Sequence, residues 1–167
     1  ASVAHQCGLP SNATMLYGHI ENSEEKVYHL ARLREVQDET SGFLAYIPLS
    51  FHPERTELEH LPVPSGCLDL KEIAIGRLML DNFDHIKTFW IMNTIEISQT
   101  ALWYGADDID GTVMDYEITR KSFEETEQRL TQREFLDRIE EAGRVALERD
   151  SLYNMVNSSV NNLAVEA

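Results

Sequence analysis

The sequence is poor in cysteine and in positive charge, has no proline in its second half, and has no long apolar run. Two cysteines, Cys7 and Cys67, stand sixty positions apart. A structural zinc or an iron–sulfur cluster takes about four ligands, so these thiols provide neither. They read as two reduced thiols of a cytoplasmic protein. All five prolines precede residue 65, so the later half can be helical without interruption. Fourteen Lys and Arg against 29 Asp and Glu give a formal net charge of −15. A surface that acidic repels phosphate backbones and anionic lipid headgroups, so no nucleic-acid or membrane partner is expected. No stretch reaches the roughly 20 apolar residues that span a bilayer. The N-terminus has neither the basic nor the apolar region of a secretory signal. The chain opens on Ala1 without Met and enters patterned sequence at once, so a missing upstream part is expected.

What is present is an ordinary globular composition of 167 residues, 43% hydrophobic and 26% charged, sized for one domain or part of one. Its periodicity alternates between strand and helix. Residues 12–17 read as a strand stopped by Gly18. Asn22 and Glu25 form a capping box for a helix carrying Val27, Leu30, Leu33 and Val36. Phe43–Ile47 is a second strand, followed by a turn-rich loop from Pro48 to Gly66. Leu70, Ile73, Ala74, Arg77 and Leu78 mark one face of a helix ending near Phe83. Ile86–Met92 reads as a third strand and Thr94–Tyr104 as a helix with Gly105 just past its end. Asp108–Val113 is a fourth strand. Thr131 and Glu134 cap a last helix through Phe135, Ile139, Ala142 and Ala146. The order βαβαβαβ plus C-terminal helices predicts an α/β fold with a parallel sheet. It fits either a small doubly wound sheet or half of an eight-stranded barrel. No glycine-rich phosphate loop is present.

In parallel α/β folds the working groups sit at the carboxyl ends of the strands. Here these are Tyr17–Glu21, Leu49–Pro53, Trp90–Asn93 and Asp107–Thr112. By residue type alone, His52 with Asp107, Asp108 and Asp110 would suit a metal-dependent hydrolase. Against that, there is no HxH or HExxH pair, and no nucleophile elbow.

The segments Ser11–Glu21, Gly42–Pro53, Arg77–Lys87 and Gly105–Thr112, with Ala142–Arg144 and Glu148–Asn154, resemble the second half of the aminofutalosine synthases. These are radical S-adenosylmethionine enzymes of the futalosine route to menaquinone. The likeness runs in register over residues 5–154; residues 155–167 read as a flexible tail. Dehypoxanthine futalosine cyclases and the deazaflavin (FO) synthases share the outline. The Trp90–Met92 and Asp107–Gly111 runs look more like the synthase.

The resemblance implies strands five to eight of a (β/α)8 TIM-type barrel with C-terminal helices. It implies S-adenosylmethionine and a [4Fe–4S] cluster in the complete enzyme. The cluster's CxxxCxxC loop is absent from this chain, which alone should be inactive. The implied reaction is addition of the 5′-deoxyadenosyl radical to 3-[(1-carboxyvinyl)oxy]benzoate, then rearrangement and loss of the carboxylate. Tyr17, Gly18, His19, Ile20 and Glu21 resemble the adenine-contacting motif. Phe51, Trp90 and Met92 would wall the substrate, an aromatic carboxylate, and His52 and Arg55 would meet its two carboxylates. Arg55 departs from a usual asparagine, Asn93 from a leucine–glycine pattern, and Arg120–Phe123 from a histidine-containing stretch. An open half barrel would expose inward residues among Met15, Ala45, Ile47 and Phe89. It therefore implies a partner: the missing N-terminal half-barrel, a homodimer mate, or a separate cluster-bearing chain for which this one is a non-catalytic partner.

Overall fold

The computed structural model describes residues 1–111 and 130–156. In chain order these form α1 (Ser2–Gln6), β1 (Ser11–Tyr17), α2 (Ser23–Thr40), β2 (Phe43–Ser50), α3 (Gly66–Met79) and β3 (His85–Thr88). There follow the short α4 (Trp90–Asn93), α5 (Ile95–Ala101), β4 (Asp108–Ile109) and α6 (Gln132–Glu141). The four strands pair in parallel in the order β1-β2-β3-β4. Strand order never reverses, so the described sheet lacks the switch point of a doubly wound fold. A sheet wound steadily in one direction is compatible with half of a TIM-type barrel.

Local chemistry sets the element ends. Asn22 accepts from the Glu25 N–H while Glu25 accepts from the Asn22 N–H, closing the expected capping box on α2. Thr131 and Glu134 do the same for α6. Gly105 follows the α5 turn at φ 108°, where a side chain would be strained. At the start of β2 the register moves from Ser11↔Phe43 to Ala13↔Tyr46, which inserts one residue as a bulge. The extra residue lets Phe43 and Tyr46 face the same way, and both rings pack on Phe83, at 5.4 and 6.5 Å. Buried Gln37 of α2 accepts from the Phe43 N–H and donates to its carbonyl, so the β2 entry loses no hydrogen bond. The core of Ala13, Met15, Tyr17, Leu30, Tyr46, Ile73, Leu80 and Ile86 lies between the sheet and the helices.

Several expectations need correction. β2 runs on through Pro48 to Ser50. β3 pairs only with Ala45 and Tyr46, so the missing proline N–H breaks no rung of that ladder. Residues 86–92 are not one strand. β3 stops at Thr88 and Trp90–Asn93 coils into α4, with the Trp90 indole N–H bonded to the Gly111 carbonyl at 3.1 Å. α3 ends at Met79, and Leu78 is 80% exposed; Asp69, Ile73 and Gly76 line its buried face instead. Met15 is buried with the helices, and its neighbour Leu16 is the residue left on the open face, 44% exposed. β4 is two residues long, and residues 112 and 113 of the expected strand lie outside the described residues. Arg149 and Met155 form an antiparallel bridge, and Val156 donates to the Glu148 carbonyl. Residues 157–167 of the expected tail, like Arg120–Phe123, lie outside the described residues.

Gly76 allows the closest packing of α3 on the sheet: a Cβ there would sit 2.7 Å from the Tyr46 ring. Tyr46 is fully buried, so the ring cannot yield cheaply. Gly76→Ala is expected to destabilise the fold by about 1–3 kcal/mol, read as a lower urea midpoint.

Candidate active site

The carboxyl ends of the strands are laced into one rim. The Phe51 N–H donates to the Tyr17 carbonyl at 2.9 Å, tying β2 to β1. His19 meets the Phe51 ring edge-on at 5.6 Å. His52 donates Nε2–H to the Met92 carbonyl at 3.0 Å, tying β2 to the turn after β3. Trp90 reaches Gly111 beyond β4 and packs edge-on against Phe135 of α6 at 5.6 Å. The structure thus gathers Tyr17, Gly18, His19, Glu21, Phe51, His52, Trp90 and Met92 along one edge.

Their side chains do not all face outward. Tyr17 is fully buried and donates to Asp69 Oδ1 at 2.6 Å. Burial, then the bond to Asp69 and its charge, raise the Tyr17 phenol far above its ordinary range. Burial also raises the Asp69 carboxyl, against the hydroxyls of Tyr17 and Ser50 and the nearby His52. Tyr17 is therefore a strut from β1 to α3, and its ring is closed to a ligand. Gly18 turns the chain at φ 88°, and a Cβ there would lie 2.3 Å from Pro64 Cγ. Both facts require glycine independently of any ligand. Glu21 folds back to accept the N–H groups of Gly18 at 2.6 Å and His19 at 2.9 Å. His19 Nδ1 lies 3.2 Å from Glu21. Ile20 is 73% exposed at the rim. Arg55 is exposed in the loop after β2, at φ 65°.

The acids around β4 are held by cations. Asp107 accepts from Arg77 at 2.5 Å, the Ile86 N–H at 2.7 Å and His85 at 2.6 Å. Asp108 is gripped by the Arg149 guanidinium at 2.6 and 3.2 Å and by the Tyr153 hydroxyl at 2.6 Å. Asp110 accepts from Lys87 at 2.8 Å. His52 is bonded elsewhere, and among the described residues no group of three His, Cys, Asp or Glu could hold a metal. The metal-hydrolase arrangement of His52 with the three aspartates does not form.

Four contributors escaped the sequence reading. Asp69 and Glu72 sit on the buried face of α3, with Glu72 paired to Lys26 of α2; two acids at i,i+3 beside Ile73 and Gly76 were the available signal. Lys87 is buried between Ile86 and Thr88 of β3, where alternation alone assigns it the opposite face. Tyr153 stacks on His85 at 4.0 Å, a contact with no local pattern to announce it.

This is a parallel α/β chain wound in one direction, with a polar rim at the carboxyl edge. Residues 40–162 match the family model described as the CofH/MqnC C-terminal region, and the chain belongs to that family. It is 46% identical over 157 residues to the aminodeoxyfutalosine synthase of Thermus thermophilus, covering 92% of this chain and 42% of that protein. Identity to the aminodeoxyfutalosine synthase of Streptomyces coelicolor is 39% over 165 residues, 92% of this chain and 43% of the relative. The 5-amino-6-(D-ribitylamino)uracil–L-tyrosine 4-hydroxyphenyl transferase of Methanoculleus marisnigri is 38% identical over 157 residues, with 92% and 43% coverage. The chain spans about two-fifths of the length of these relatives. No helix among the described residues is long and apolar enough to cross a membrane.

The backbone N–H groups of Gly18, Glu21 and His19, with the charge of His19, outweigh burial and hold the Glu21 carboxyl below its ordinary value of 4.5. A lowered carboxyl contributes stability above its unfolded value that is lost as pH falls through the folded one. Glu21→Gln is therefore expected to destabilise the protein by about 1 kcal/mol near neutrality. That difference should shrink as the pH is taken below 4.5, in denaturation midpoints of both proteins.

Proposed function

We propose that this chain is the carboxyl-terminal half of a radical S-adenosylmethionine enzyme making aminofutalosine, taken as the aminodeoxyfutalosine for which its synthase relatives are named. The observation that carries this is the 46% identity over nearly the whole chain to one such synthase, against 38% for the hydroxyphenyl transferase. The complete enzyme acts in menaquinone biosynthesis in the cytoplasm. Its four described strands complete a (β/α)8 barrel with an N-terminal half-barrel outside this chain.

The residues present fit part of the cofactor's surroundings. Ile20, exposed at the end of β1, offers an apolar face to the adenine of S-adenosylmethionine. Glu21 holds the turn that presents it, and Gly18 lets the chain make that turn beside Pro64. When bound, S-adenosylmethionine supplies the deoxyadenosyl radical. Phe51, Trp90 and Met92 wall the reaction space, and the ties from His52 to Met92 and from Trp90 to Gly111 hold those walls still. Their work is to orient the alkene and keep water out. The [4Fe–4S] cluster does not fit this chain. Its two cysteines follow α1 and open α3, both exposed, so the cluster ligands belong to the other half and the chain alone is inactive.

The test uses the complete protein, reconstituted anaerobically with reductant and S-adenosylmethionine. Offered 3-[(1-carboxyvinyl)oxy]benzoate in one reaction and tyrosine with 5-amino-6-(D-ribitylamino)uracil in another, it should yield aminofutalosine by mass spectrometry from the first only. Product from the second alone would assign the chain to the transferase branch and overturn the reading.

A further inference from the structure

Of the two residues expected to meet substrate carboxylates, one is bonded to the backbone and the other stands exposed in a loop. His52 gives its Nε2–H to the Met92 carbonyl, and Arg55 lies exposed in the loop after β2. A further cation, Lys87, is built into the sheet itself. Thr88 turns toward α5, where its hydroxyl meets Ser98 at 2.8 Å, and Ile86 is in the core under the helices. Alternation therefore sends Lys87 to the face opposite the helices. It is only 7% exposed there, and its ammonium lies 2.8 Å from Asp110 and 3.6 Å from Asp108.

The two carboxylates are unequal. Asp108 already accepts two bonds from Arg149 and one from Tyr153, so its charge is met without Lys87. Asp110 lies further toward the carboxyl edge, and Lys87 leans to it. An ammonium has three N–H donors, and among the described residues Asp110 takes one at hydrogen-bond distance. Lys87 is thus a desolvated cation on the sheet face opposite the helices, level with Asp108 in register, its ammonium reaching Asp110 just past β4 with the Tyr153 ring 6.0 Å away. Around a chain of net charge −15, a dianionic ligand needs such a cation to be drawn in and held.

We propose that Lys87 binds one carboxylate of the substrate, with Asp110 as the positioning residue that holds its ammonium toward the rim. This rests on the function proposed above and adds the residue that recognises the substrate's charge. Asp108, clamped by Arg149 and Tyr153, fixes the floor beneath the pair.

The complete protein is titrated calorimetrically with 3-[(1-carboxyvinyl)oxy]benzoate and with each of its two monomethyl esters. Lys87→Met combined with Asp110→Asn removes the ion pair without leaving a lone buried charge, and a thermal melt checks its fold. Wild type should bind the diacid and lose roughly 10- to 100-fold on esterification of one carboxylate. The double variant should bind the diacid as weakly as wild type binds that ester, and lose nothing more when that carboxylate is esterified. Unchanged affinity of the variant for the diacid overturns the proposal. So does an equal loss for the diacid and both esters, or a variant that melts as unfolded, because each assigns the pair a structural role. If wild type itself fails to bind the diacid, the functional reading has failed, and that failure is visible before any variant is compared.

Discussion

Parallel strands bury their side chains stably only when both faces of the sheet are covered, and the rest of this structure follows from how that requirement is met. α2, α3 and α5 cover one face. They deliver the core residues, the Tyr17–Asp69 strut and the Gly76–Tyr46 contact. The opposite face carries Leu16, Lys87, Asp108 and Asp110, a mixed apolar and charged surface that no helix of the described sheet packs as a core. β1 pairs with β2 on one side, and among the described residues nothing pairs its other edge. Closure of the sheet by further strands would answer both deficits, as a barrel does.

The fold and the candidate site use the same atoms for different ends. Tyr17 ends β1, anchors α3 through its hydroxyl and offers its carbonyl to Phe51. The glutamate four residues on absorbs the N–H groups that the turn frees. A rim built this way is tied by the chain's own hydrogen bonds, which on the proposed function suits chemistry that depends on orientation and on exclusion of water.

Much of this was legible in the sequence, for identifiable reasons. The capping boxes at Asn22 and Thr131 and the glycine at 105 are local signals, and local signals survive folding. The βα alternation made the parallel sheet legible, although the faces returned to it are narrower than the expected stripes. Val27 of α2 and Leu78 of α3 are exposed, and Leu30 and Ile73 are the apolar residues fully buried. What misled was tertiary. Residues 86–92 look like one apolar strand, but Trp90 is drawn aside by Gly111 and Phe135, and the strand gives way to a turn. Pro48 looks like a strand breaker, but the ladder with β3 has already ended at Tyr46 and the one with β1 runs on through it. Tyr17 carries the pattern of a rim residue, and only a partner 52 positions away reveals it as a strut.

On the proposal that Lys87 binds a substrate carboxylate, the ion pairs around β4 reconcile a strongly acidic chain with an acidic ligand. Net charge acts at long range and would repel a dicarboxylate, but it is screened over about 8–10 Å at ordinary ionic strength. Within that distance the local arrangement decides. Around β4 three aspartates are each matched by a cation, Arg77, Arg149 and Lys87 in turn. Two of these cations have fixed tasks, with Arg77 also holding the Gly105 carbonyl and Arg149 the Asp150 carbonyl. Lys87 stands nearest the carboxyl edge, on a flexible stem, with a point charge that can be shared between two carboxylates. A ligand carboxylate arriving there shares a cation already desolvated, so part of the energetic cost of binding has been met in folding. On that proposal, preference for an anion would follow from where one lysine is buried, against the long-range repulsion of the chain's net charge.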